Sequence, residues 1–99
     1  RRADGRLDPA LPATVLERQV RAYLPWPGTF LELDGERLVV TAASIAPSGP
    51  DDVPGALVRH GQRPALATAD GRLVLEWVTP EGRRPMAGED WLRGQRGRG

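Results

Sequence analysis

His60 is the one histidine among 99 residues, and no cysteine accompanies it. An imidazole can act as a general base or a metal ligand, but either role needs partners within reach. No serine stands in a G-x-S-x-G elbow, and a lone histidine at the end of a strand is expected to be a solvated surface residue. The pairs Asp51-Asp52 and Glu89-Asp90 fall in a loop and at a helix start, where solubility and the helix dipole account for them. The 12 glycines punctuate turns and never form G-x-x-x-x-G-K, so no phosphate-cradling loop is present. The expectation is a chain with no catalytic residue, bound metal or cofactor of its own.

Arginine is the residue type left to carry chemistry. All 14 basic side chains are arginine, whose planar fork of donors suits phosphate. Arg18 and Arg21 lie three apart on one side of an expected helix. Arg59 and Arg63 cluster with His60 around a turn. Arg83 and Arg84 precede a last helix that ends in Arg93. Each cluster alone reads as a solvated face. Joined on one surface, the three clusters would track a phosphate backbone. Arg83 and Arg84, with help from Arg18, Arg21 and Arg93, are the candidate contacts because they bracket the ends of the helical elements. The charge distribution argues weakly the other way: residues 7–92 hold 8 arginines against 12 acids, a net of −4, and the formal +1 of the whole chain comes from its basic ends.

The elements that must position these arginines follow from periodicity. Leu16, Val20 and Tyr23, with Val15 beside them, recur at helical spacing, so Leu11 to Tyr23 is expected to be a helix. Pro12 suits its first turn, and Pro25 ends it by Tyr23 or Leu24. From Thr29 the period changes to two. TFLEL and RLVVTAASIA flank Asp34-Gly35, a hairpin signal. PSGPDDVPG is a loop, GALVRH and PALATA are short strands, and Asp70-Gly71 turns into RLVLEWV. In that last strand Leu73, Leu75 and Trp77 are expected on one face, with Val74 and Val78 on the other. AGEDWLRG closes the chain as a short helix that stops at Gly94. One helix, about five strands in meander order and a closing helix predict a mainly β fold, a small OB-like barrel. Residues 1–10 are expected to be the end of an interdomain linker, 11–94 the domain and 95–99 a disordered basic tail. There is no long apolar run and no visible signal peptide, so a cytoplasmic location is expected.

Four motifs in order decide between these readings: V-R-A-x-x-P-W-P-G-x-F, V-P-G-x-L-V, A-D-G-R-L-x-L and E-G-R-R-P-M-x-x-x-D-W-L-R-G. Together they closely resemble the C-terminal domain of the methionyl-tRNA formyltransferase family. Arg83 and Arg84 stand where many relatives carry lysine, and Trp91 where many carry phenylalanine. The resemblance implies an OB-like barrel that helps hold initiator tRNA. It implies a separate N-terminal domain, in the same chain, that transfers a formyl group from 10-formyltetrahydrofolate during translation initiation. No residue here matches the catalytic motif. The same type of domain occurs in 10-formyltetrahydrofolate dehydrogenase and in sugar-nucleotide formyltransferases, so those readings stay open, as does a purely structural packing domain. Trp26, clamped between Pro25 and Pro27, is expected to plug one end of the barrel.

Overall fold

The helical period at the start of the chain becomes α1, Ala13–Ala22. The computed structural model describes residues 5–24 and 28–97, with side chains through Gln95. The expected plug at Trp26 therefore lies outside the described residues. Pro12 stands just ahead of α1 as its N-cap and offers no side-chain cap. The Ala13 N–H finds the Asp70 carbonyl at 2.9 Å instead, which satisfies a donor that a helix start leaves free. Ala13, Leu16 and Val20 are buried, whereas Val15 is exposed.

Six strands follow among the described residues: β1 Thr29–Leu33, β2 Glu36–Ala46, β3 Leu57–His60, β4 Arg63–Ala67, β5 Arg72–Pro80 and β6 Met86–Ala87. Asp34 and Gly35 both take positive φ, 53° and 82°, the backbone of a two-residue hairpin turn. That turn sets the β1–β2 register, with Leu33 opposite Glu36 and Glu32 opposite Arg37. The strands form one antiparallel sheet in the order β1-β2-β5-β4-β3, with β6 also pairing to β5. It curls into a half-barrel, in keeping with the mainly β, OB-like expectation. The strand order corrects the expected meander: β2 pairs with β5, and β3 lies at the far edge. No local signal encodes that seam, because its partners are separated by two strands and three connections of chain.

The β2–β5 ladder has two neighbouring irregularities. Val40 pairs with Val78, Ala42 with Trp77 and Ala43 with Leu75, so Thr41 and Glu76 are extra residues on their strands. A bulge of this kind resets the alternation of faces. Leu73, Leu75 and Val78 consequently share the core, while Trp77 is 46% exposed. The expected grouping of Trp77 with Leu73 and Leu75 is thereby overturned.

The core joins Leu16 and Val20 of α1 to Leu31, Leu38, Val40, Leu66, Leu73, Leu75 and Val78 of the sheet. Two segments that look peripheral in the sequence contribute to it. Leu7 is buried within this core, and the chain beside it bonds to β1 through Leu7 N to Phe30 O at 3.0 Å and Phe30 N to Gly5 O at 2.8 Å. Residues 5–10, expected as linker, are therefore held against the body. At the other end α2 spans Gly88–Gly97, passing the expected stop at Gly94, and places Trp91 in the core. Residues 95–97, expected as tail, are helical. Gly94 is exposed and a Cβ there would meet nothing within 4 Å, so its missing side chain does not force an ending.

Candidate nucleic-acid interface

Arg72 organises the loop between β2 and β3. Its Nε and Nη2 donate to the two Asp52 oxygens at 2.8 Å each, and Asp52 also accepts from the Gly49 N–H at 3.0 Å. The pair is largely enclosed, with side chains 17% and 8% exposed. Arg72 Nη1 lies 3.3 Å from His60 Nδ1 and 3.5 Å from the Arg59 carbonyl. A ring nitrogen facing a guanidinium must accept, which leaves the imidazole proton on Nε2. His60 is thus half-buried in a structural cluster, where the sequence suggests a solvated residue. The Arg72 hydrogen bond, followed by the one from Gly49, holds the Asp52 carboxyl at about 2, below its ordinary 3.8.

That depression has a defined acid signature. Near neutral pH Asp52 is ionised whether the chain is folded or unfolded, and the pairing contributes fully. As pH falls from 3.8 toward about 2, the unfolded chain takes up the proton first and the contribution is lost. Asp52→Asn is expected to lose less stability than the parent between pH 7 and pH 3. Denaturant midpoints at the two pH values measure this, and equal drops in both proteins would refute it.

The five arginines proposed from sequence divide by their surroundings. Arg21 is held by Glu17 at 2.8 and 3.0 Å within α1, a pairing that raises its pKa. Arg93 is paired with Glu89 at 3.4 Å and with Asp90. Arg18, Arg83 and Arg84 are exposed and have no ion pair among the described residues. Arg83 and Arg84 occupy the turn between β5 and β6, where the Arg83 N–H donates to Pro80 O at 3.0 Å. A cleft of about 360 Å³ runs beside this turn, with Leu33, Arg37, Glu81, Arg83 and Trp91 among its walls. Arg18 and Arg21 line no part of it.

The structure adds Arg37, which sequence reasoning misses. Its guanidinium carbon sits 3.9 Å from the centre of the Phe30 ring, and that of Arg6 at 5.5 Å. The signal is present in the Asp34-Gly35 turn. A two-residue hairpin pairs Phe30 with Val39 and Glu32 with Arg37, so Phe30 and Arg37 become diagonal neighbours on one face. Among the described residues no group of three His, Cys, Asp or Glu side chains converges on a metal-sized site. No described helix is long and apolar enough to cross a membrane. This surface carries cationic forks beside an aromatic ring, with the carboxylates of Asp34, Glu36 and Glu81 alongside, and the forks have the geometry to pair with phosphate.

Comparison with known proteins gives the family. The formyl transferase, C-terminal domain, family profile matches residues 1–96. The chain belongs to that family. This formyl transferase C-terminal domain is 44% identical over 96 residues to the methionyl-tRNA formyltransferase of Roseiflexus castenholzii, and 42% identical to that of Chloroflexus aurantiacus. Those matches cover 96% and 95% of the chain but 31% of each relative, so it spans about a third of their length. Among solved structures, HypX from Aquifex aeolicus aligns with a TM-score of 0.66 and 20% identity, covering 88% of this chain and 16% of that one. A second HypX structure, in complex with tetrahydrofolic acid, aligns with a TM-score of 0.57 and 19% identity over 80% of the chain and 14% of the other. These likenesses establish a shared fold.

Proposed function

We propose that this domain is the C-terminal, tRNA-positioning part of a methionyl-tRNA formyltransferase. The observation that carries the reading is 44% identity across nearly the whole chain to a protein of that name. On this reading the full enzyme formylates methionyl-initiator tRNA from 10-formyltetrahydrofolate in the cytoplasm at translation initiation. Donor, catalytic groups and reaction belong to the preceding domain, and the fragment is non-catalytic. The contribution of the present chain is to orient the acceptor. Arg83 and Arg84, unneutralised in their turn, supply the principal contacts to phosphates, with Arg18, Arg21 and Arg93 in support. Arg21 and Arg93 are the weaker members, because an arriving phosphate must compete with Glu17 for one and with Glu89 and Asp90 for the other.

Binding through these side chains should be weak, tolerant of sequence and strongly salt-dependent. Removing one arginine–phosphate pairing lowers the slope of log K against log salt by roughly 0.7–0.9. The measurement is a salt titration of initiator tRNA binding, with Arg96 and Arg98 replaced by glutamine so that these terminal charges do not dominate. Truncating at Gly94 is unsuitable, since α2 continues to Gly97. Arg83→Ala/Arg84→Ala should flatten the slope relative to this parent. No tRNA binding by the parent at low salt would instead favour a packing domain or a formyltransferase with another acceptor. Binding that the double variant leaves unchanged would discard the residue assignment alone. The chain should yield no formylmethionyl-tRNA from charged tRNA and formyl donor, and turnover that depends on His60 would overturn the non-catalytic assignment.

A further inference from the structure

An arginine can be held in place in two ways, and they leave different chemistry behind. A carboxylate partner occupies the N–H edges and cancels the charge. An aromatic ring occupies the flat face and leaves both the edges and the charge available. Arg21, Arg63, Arg72 and Arg93 are held the first way, by Glu17, Glu76, Asp52 and the Glu89/Asp90 pair. Arg37 is held the second way: its guanidinium lies over Phe30 at 3.9 Å, and it has no carboxylate within 4.0 Å among the described residues.

The acids nearest Arg37 are already engaged. Glu32, directly across the hairpin from it, receives Arg6 Nη2 at 3.0 Å. Glu81 receives the backbone N–H of Arg37 at 2.8 Å. The second of these bonds ties the hairpin to the β5–β6 turn, which carries Arg83. Between them lies an open groove of about 500 Å³ whose walls include Arg37, Val39, Thr79, Gly82 and Arg83. Glu32 and Glu81 are the carboxylates in its wall, the first paired with Arg6 and the second accepting from the Arg37 N–H, while Asp34 and Glu36 at the hairpin tip line the neighbouring cleft.

We propose that Arg37, held by the Phe30 ring, and Arg83 form a two-arginine clamp for the phosphodiester backbone of RNA in this groove. The proposal rests on the tRNA-positioning reading and deepens it by naming the geometry that grips. Phe30 is then a positioning residue, acting through the nearer of the two guanidinium groups over its ring, that of Arg37. Glu81 fixes the distance between hairpin and turn while leaving both guanidinium groups free.

The test separates a positioned fork from diffuse positive charge. Initiator tRNA binding to the 99-residue chain, in the Arg96→Gln/Arg98→Gln background, is measured across salt for Arg37→Ala, Arg37→Lys, Phe30→Leu and Arg83→Ala. Arg37→Ala and Arg83→Ala should each lower the salt slope by roughly 0.7–0.9. Arg37→Lys and Phe30→Leu keep the net charge, so their slopes should stay near the parent value while affinity falls about three- to tenfold, as the bidentate geometry is no longer held. Thermal midpoints and circular dichroism report whether Phe30→Leu still folds. Arg37→Lys, at an exposed position, carries the test if it does not. If Arg37→Lys binds like the parent, the clamp is wrong and the tRNA reading stands. If the parent binds no tRNA at low salt, both fall together.

Discussion

Trp91→Ala is expected to destabilise the domain by about 3–5 kcal/mol. The indole is 8% exposed and belongs to the same core as Leu66, Leu75 and Val78. Truncation removes the largest core side chain contributed by α2 and leaves a void between that helix and the sheet. Strand backbones are held by ladders on both sides, so the surroundings can collapse only partly. Small domains have total stabilities of about 5–15 kcal/mol, and a loss of this size brings the variant near its unfolding threshold. Urea unfolding followed by circular dichroism gives the difference directly. A shift corresponding to less than about 1 kcal/mol would mean that α2 does not seal the core.

Gly88→Ala should produce the second large effect, by a different route. Gly88 begins α2 where the chain leaves the sheet, and a Cβ on it would overlap the carbonyl oxygen of Leu75 and lie 3.1 Å from Pro64 Cδ. Leu75 belongs to β5 and Pro64 to β4, so the obstacle is paired backbone that cannot rotate aside. The helix start must lift away, taking Trp91 one turn later with it. A cost at or above the upper end of about 1–3 kcal/mol, the usual range for overpacking, is expected. Faster amide exchange across residues 91–95 should accompany it. Both substitutions act on the seating of α2, so the double variant should lose less than the sum. Strict additivity, or an unchanged Gly88→Ala midpoint, would place the clash elsewhere.

Much of this architecture is legible in local sequence. The positive-φ requirement of Asp34-Gly35, the helical recurrence of Leu16 and Val20 and the strand-like run after Gly71 each reflect a few adjacent residues. What stays hidden depends on distant ones. The pairing of β2 with β5 is set by tertiary packing, and the bulge at Thr41 and Glu76 leaves no mark in hydrophobic alternation. Trp77 therefore reads as core when it is exposed. Residues 1–10 read as linker because one apolar residue, Leu7, has no period and does not by itself show where it packs. At the candidate interface, the sequence marks which residues are arginine but not which are neutralised. Glu17 four residues before Arg21 is a readable pairing. The stacking of Arg37 on Phe30 requires the hairpin register, and the engagement of Glu32 and Glu81 requires partners across the sheet.

The bulge turns a rule about composition into a rule about length. Before it, Leu38 and Val40 of β2 face the core, and after it Ala43 packs against that same core. The spacing between Val40 and Ala43 is odd, so an inward residue meets an inward residue only because Thr41 is present as an extra step. Straightening the bulge while keeping Thr41 would turn one half of β2 inside out relative to the other, whereas removing Thr41 together with its bulge would leave Val40 and Ala43 on one face by ordinary alternation. The matching extra residue on β5, Glu76, imposes the same arithmetic on Leu75 and Val78. Related chains are thus free to change many side chains along this seam, provided that on each strand the extra residue and its bulge are kept together or lost together.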